Sequence, residues 1–136
     1  NWLRNGEFCI PKVEFKRFSD NLTEGIMIGT DEEMKKFAKN EFNYLSKKGL
    51  DFIAKKNNKF IIGETKFLTD VGGHQNAQFN DAVNLFNSDT TGCTKIAILD
   101  GILYIKSGKM YNSIINDYKD KNILSSLLIN DFLKSF

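Results

Sequence analysis

The stretch KGLDFIAKKNNKFIIGETKFLTD, residues 48–70, decides how this chain is read. Two runs rich in β-branched and aromatic residues, LDFIAKK and KFIIGETKF, flank Asn57-Asn58. Asparagine accepts the left-handed backbone that a tight hairpin turn requires, so the spacing predicts a β-hairpin. Residues two apart on a strand share a face, so Glu64 and Lys66 point the same way. The hairpin pairs Lys56 with Lys59. Counting outward places Asp51 directly across from Glu64, with Cβ atoms about 4.5–5.5 Å apart. Two carboxylates and one lysine thus meet on one patch. Gly63 falls on the opposite face, where it suits close packing beneath that patch.

Like charges directly opposed destabilise a sheet, and a cation or a shared proton relieves them. Mg²⁺ is a hard cation, usually held by one or two carboxylates together with water and phosphate oxygens. A lysine beside it stabilises charge on phosphate or orients an attacking water. The constellation therefore suits metal-assisted phosphodiester hydrolysis. Geometry alone leaves one alternative open, a solvated polar face whose exposed ion pairs contribute little.

Upstream, Thr30 and Glu33 have the spacing of a capping box, and Asp31-Glu32-Glu33 gives the helix an acidic first turn. This helix is expected to run to Lys47-Lys48, with Gly49 ending it. Met34, Phe37, Ala38 and Leu45 mark an apolar stripe at helical spacing, and Glu41 falls inside it. An acid on a core-facing stripe needs a partner, unless it lies at the edge and reaches water. Downstream, Gly72-Gly73 opens a second helix to about residue 87. Gln75, Gln78, Phe79, Ala82 and Phe86 share one of its faces. The two amides sit near the end of the GETKF strand, placed to bind substrate or hold a water, or else simply solvated. His74, in a glycine-flanked turn, reads as exposed or structural.

Beyond the SDTTGCT loop, KIAILDGILYIK places two apolar runs around Asp100-Gly101, which predicts a second hairpin. The tail reads as one or two helices, MYNSIINDYKD and ILSSLLINDFLKSF. Residues 1–30, with KVEFKRF and LTEGIMIGT, read as irregular structure or weak strands. No repeat or linker interrupts the chain, so residues 1–136 are expected to form one α/β domain. From the first capped helix the order is helix–strand–strand–helix–strand–strand–helix.

The chain's 136 residues suffice for a core, and a net charge of +2 permits a nucleic-acid partner without demanding one. Cys9 and Cys93 form no CxxC pair, and a single His excludes a His-rich zinc site. Both thiols are expected to be buried and reduced in an intracellular, cytoplasmic protein. No apolar run is long enough to span a membrane, and no signal peptide is visible. The start at Asn1 without Met suggests a fragment or a processed product.

Asp51, twelve intervening residues and then Glu64-Thr65-Lys66 resemble the motif of the PD-(D/E)XK nuclease superfamily. The longer run KGLDFIAKKNNKFIIGETKFLTDVGGHQNAQFNDA looks closest to type II restriction endonucleases sharing a GE-x-KFLTD-x-GGHQNAQF block. The resemblance covers about residues 31–106, and Leu50 stands where the motif usually has proline. It implies a restriction-endonuclease-like core, a mixed central β-sheet flanked by α-helices. It also implies an endonuclease that hydrolyses double-stranded DNA with Mg²⁺, leaving 5′-phosphate ends, and a homodimer. By resemblance Asp51, Glu64 and the Thr65 carbonyl would ligate the metal, and Lys66 would position the water. Glu41 would be the supporting helix acid, and Gln75 and Gln78 would edge the substrate. Lys106 and Lys109, flanking Ser107-Gly108, are candidates for phosphate contacts or ordinary surface charges. The alternatives are another PD-(D/E)XK nuclease, for repair or junction cleavage, and a non-cleaving DNA-binding module of the same fold. The chain is short for a complete restriction enzyme of this kind.

Overall fold

The computed structural model describes residues 2–21, 23–70, 72–106 and 108–136. Leu22 of the LTEGIMIGT segment, Val71 of the motif block and Ser107 of the lysine-flanked loop lie outside the described residues. Asn57 and Asn58 both take left-handed backbone, with φ of 51° and 59°. They turn β3 (Phe52–Lys56) into β4 (Lys59–Leu68). The ladder runs from Lys56↔Lys59 to Phe52↔Gly63, the register expected from the turn.

The pairing departs from expectation one residue further out. The Asp51 amide donates to the Gly63 carbonyl at 3.1 Å. Asp51 and Phe52 therefore both meet Gly63, two residues against one, as at a β-bulge. Asp51 is not the backbone partner of Glu64, as simple counting had it. The extra residue re-aims its side chain instead.

The hairpin sits inside a six-stranded mixed sheet of order β1-β2-β3-β4-β5-β6. Its other strands are β1 (Lys12–Glu14), β2 (Gly25–Ile28), β5 (Cys93–Gly101) and β6 (Asn122–Leu124). β2, β3 and β4 are joined antiparallel, and the β1–β2, β4–β5 and β5–β6 pairs are parallel. The helices are α1 (Trp2–Asn5), α2 (Phe15–Asn21), α3 (Asp31–Phe42), α4 (Gly73–Val83), α5 (Lys109–Asn116) and α6 (Ile129–Ser135). The described residues among 1–30 thus hold more order than their sequence suggests. β2 is buried along its whole length, and part of KVEFKRF is helical.

Strand alternation splits the core into two helix-covered layers. Ile53 and Ile62 pack with Met34, Phe37, Ala38 and Phe42 of α3 and with Phe18 of α2. On the same face, Leu68, Ala97 and Leu99 pack with Phe79, Ala82 and Val83 of α4 and Met110 of α5. The other face joins Ile26, Phe52, Ala54, Ile61, Ile96 and Ile98 to Ile129 and Leu133 of α6, with Trp2 and Leu3 of α1 against them. Burying each of these large side chains stabilises the fold by roughly 1.5–3 kcal/mol. Glu64 lies on the first face, between the α3 and α4 clusters.

Two expectations about helix and turn ends give way. The capping box of α3 forms, with Glu33 N donating to Thr30 Oγ1 at 3.2 Å and Thr30 N donating to Glu33 Oε2 at 2.7 Å. The helix stops at Phe42, however, because Asn43 turns left-handed at φ 55° and Tyr44 N returns to the Ala38 carbonyl at 3.2 Å. Leu45 is therefore outside the helix and exposed, and Lys47-Lys48 belong to a loop.

Asp100-Gly101 is not a hairpin turn. β5 runs through it and pairs parallel with β4, and a short 3-10 turn at Ile102–Tyr104 follows. The Asp100 carboxylate accepts hydrogen bonds from Ser125 Oγ at 2.5 Å and Ser126 N at 3.2 Å, tying β5 to the segment after β6. Gly101, at φ 106°, lies against the Leu68 carbonyl so closely that any Cβ would overlap its oxygen. Both cysteines are free, but Cys9 is exposed and Cys93 only half-buried.

Gly101→Ala is expected to destabilise the protein by roughly 2 kcal/mol or more, from backbone strain and overlap together. Gly72→Ala, with open space around its Cβ position, is expected to stay within about 0.5 kcal/mol of wild type. Urea denaturation of the two variants checks this. Equal stabilities would contradict it.

Candidate active site

The bulge at Asp51 and the alternation of β4 bring three charged side chains together. Asp51 Oδ2 accepts the Thr65 amide at 2.9 Å, which fixes the carboxylate against β4. Lys66 Nζ lies 3.5 Å from both Asp51 Oδ2 and Glu64 Oε2, so one ammonium bridges two acids. Glu64 is the one buried charged residue among the described residues, at 6% exposure. Beneath it, a Cβ on Gly63 would come within 2.8 Å of Ile96 Cγ1 and 3.1 Å of the Ile96 carbonyl oxygen. A side chain there would push β4 from β5, so glycine sets the depth at which Glu64 sits.

Burial disfavours the Glu64 carboxylate, the Asp51 charge opposes it further, and Lys66 only partly compensates. Its pKa is pushed up to about 8. Burial also works to lower the pKa of Lys66. The charges of Asp51 and Glu64 outweigh that and hold the ammonium above its usual range. The cluster thus has too little positive charge to ionise both acids, and its lysine stays protonated at neutral pH.

A cavity of about 550 Å³ opens over these groups. Its acids are Asp31, Glu32, Asp51 and Glu64, and its lysines are Lys35, Lys47, Lys48 and Lys66. A second cavity, of about 340 Å³, shares Glu64, Lys47 and Lys48 with the first and reaches Tyr44 and Asp81. Asp31 and Glu32 come from the first turn of α3. Sequence reasoning assigned their charge to the helix dipole alone. Lys47 and Lys48 read in the sequence as a helix-ending signal, whereas their place just before Asp51 puts them in the cavity wall.

The remaining candidates lie elsewhere. Glu41 is exposed at the edge of the α3 stripe and lines a groove with Phe15, Lys16 and Asp20, not the cavity. Phe42 occupies the buried position beside it. Gln75 Oε1 accepts the Thr69 amide at 3.1 Å and so braces the β4–α4 connection. Gln78 Nε2 and His74 Nε2 lie 2.9 Å apart on the exposed first turns of α4. Lys106 and Lys109 are exposed, and Lys109 borders a separate cavity with Asn76 and Met110.

Among the described residues, no group of three or more His, Cys, Asp or Glu is placed to hold a metal ion. The donor set at this site is two carboxylates. Completed by a backbone carbonyl, water and phosphate oxygens, such a set matches what Mg²⁺ takes, and the charge deficit at Glu64 is of the sign a divalent cation relieves.

A mixed sheet flanked by helices, with this acid–lysine cluster at the start of its central hairpin, defines a restriction-endonuclease-like α/β protein. The chain belongs to the Tsp45I type II restriction enzyme family, whose model matches residues 1–136. It is accordingly a restriction endonuclease, with DNA as its substrate. No curated protein and no solved structure matches it. Among the described residues, no helix is long and apolar enough to cross a membrane.

The folded protein keeps the Glu64 proton up to about pH 8, whereas a free glutamate loses it near 4.5. Between these values the native state binds more protons than the unfolded one. Stability of the metal-free protein therefore falls as pH rises through this window and levels off above it. At about 1.4 kcal/mol per unit, the loss amounts to a few kcal/mol. Urea denaturation without divalent metal should show this decline in wild type. Glu64→Gln should lack that contribution and be the more stable protein at pH 8. A variant less stable than wild type at pH 8 would contradict the assignment.

Proposed function

We propose that the chain is a Mg²⁺-dependent endonuclease of the PD-(D/E)XK type, acting on double-stranded DNA. The observation that carries this reading is the buried Glu64, set 3.5 Å from the same lysine that holds Asp51, in the wall of a cavity that four lysines also line. A solvated polar face would leave Glu64 hydrated, and its burial does not fit that alternative.

Asp51 and Glu64 would hold the metal, with the Thr65 carbonyl as a further ligand. When bound, the ion would supply Lewis-acid stabilisation of charge on the phosphate and lower the pKa of water. The chain's own residues account for the rest. The Thr65 amide and the bulge keep the Asp51 carboxylate turned toward Glu64. Lys66, protonated between the acids, donates a hydrogen bond that orients the attacking water, and it stabilises negative charge as the phosphorus is attacked in line. A protonated lysine cannot accept the water's proton, so the role of Lys66 is positioning and electrostatic. That proton passes to solvent while the P–O3′ bond breaks, and the leaving 3′ oxygen takes a proton from solvent water. The products are 5′-phosphate and 3′-hydroxyl ends.

One such cluster per chain cuts one strand, so double-strand cleavage calls for a homodimer with one centre on each strand. Membership of a restriction-enzyme family weighs against a repair or junction-cleaving role. The intact cluster weighs against a module that only binds DNA.

Plasmid DNA incubated with the protein and Mg²⁺ is expected to give discrete fragments whose ends ligate without phosphorylation. Chelation of Mg²⁺, Asp51→Ala or Glu64→Ala should each abolish cutting. Lys66→Ala should slow it by roughly 10²-fold or more, the scale of losing one electrostatic stabiliser, with DNA binding retained. Glu41→Ala should cut nearly as wild type does, because its side chain is not at the cavity. Full activity in Asp51→Ala or Glu64→Ala would overturn the proposal.

A further inference from the structure

The acids of the main cavity repel the phosphates that a nuclease must admit, so some cation has to receive the strand. Lys66 is committed to Asp51 and Glu64. Lys35 spends its amine on the Lys47 carbonyl at 2.9 Å, anchoring the 43–51 loop to α3. The loop is braced again where Lys48 N donates to Ser46 Oγ at 3.2 Å. Its backbone is thereby fixed while the Lys48 side chain remains largely in solvent.

Lys48 borders both cavities, as Glu64 does, so its side chain stands beside any strand that reaches the acids. Its ammonium is ion-paired with the Asp81 carboxylate of α4. Both side chains are well exposed, at 68% and 40%, and ion pairs this exposed add little to stability. The fold does not need this contact, and a phosphate oxygen can replace a carboxylate oxygen on the same ammonium with little rearrangement.

We propose that Lys48 binds a backbone phosphate of the DNA strand entering the site, and that Asp81 competes with DNA for it. The proposal rests on the reading that Asp51, Glu64 and Lys66 form the cutting centre, since that is what brings the strand to this cavity. Lys48 serves as a point charge and carries no base preference. Asp81 acts as an internal phosphate mimic. It lowers affinity until a strand lies along the cavity and displaces it.

The test measures binding of a fluorescent duplex by anisotropy, without divalent metal and over graded NaCl. The proteins are wild type, Lys48→Ala, Asp81→Asn and the double variant, each checked for folding by circular dichroism. Lys48→Ala is expected to weaken binding roughly fivefold or more and to reduce the log–log salt slope by about one, as for the loss of one phosphate contact. Asp81→Asn should tighten binding several-fold, and the double variant should match Lys48→Ala. If Asp81→Asn tightens binding equally with and without Lys48, Asp81 acts only through net charge and the competition is disproved. If Lys48→Ala binds as wild type does, the phosphate contact is disproved. Plasmid cleavage by wild type in Mg²⁺ is scored alongside. Failure to cut would sink the catalytic reading while the binding data still judged this one.

Discussion

The burial of Glu64 is the constraint on which the rest of the structure depends. The residue sits on a sheet face whose neighbours belong to two hydrophobic clusters, one built with α3 and one with α4. A carboxylate placed there is held against its solvation preference, with a second acid beside it and one lysine between them. Burial and the Asp51 charge disfavour the Glu64 carboxylate, and Lys66 offsets them only in part. Such local cost persists where function needs it and the surrounding fold is strong enough to carry it.

The surrounding fold carries it through backbone features more than through side-chain choice. The Asn57-Asn58 turn fixes the register of the hairpin, and the parallel pairing of β4 with β5 puts Gly63 against Ile96. Glycine there lets β4 approach β5 closely. The bulge at Asp51 then frees one carboxylate from the ladder and hands it to the Thr65 amide. A regular ladder would have left Asp51 in the sheet, opposite Glu64. The irregular end aims it instead at the Lys66 ammonium, which both acids share.

Much of the hairpin and its chemistry was legible because the signals are local. Two asparagines at a turn and strand alternation suffice to place Glu64, Lys66 and Gly63 on their faces. The capping box of α3 was legible for the same reason. What escaped depended on tertiary context. Asn43 ends α3 six residues before Gly49, and only the left-handed cap shows it. That early end moves Lys47 and Lys48 from a helix to the cavity wall. Glu41 obeyed the stripe's spacing, yet Phe42 took the buried position and left the acid at the edge. Asp100-Gly101 had the letters of a hairpin, but its aspartate anchors Ser125 and Ser126 while its glycine accommodates Leu68. The strands of residues 1–30 are short, and their burial comes from neighbours distant in sequence.

The central claim is that Asp51 and Glu64 form a site for a divalent cation, and calorimetric titration of the DNA-free protein with Mg²⁺ tests it most directly. With its pKa near 8, Glu64 must give up its proton to bind the ion at neutral pH. Titrations at pH 7 in buffers of different ionisation enthalpy should show release of close to one proton per ion bound, fading to none well above pH 8 and absent in Glu64→Gln. Mg²⁺ binding that releases no proton at pH 7 and survives Glu64→Gln would contradict the account.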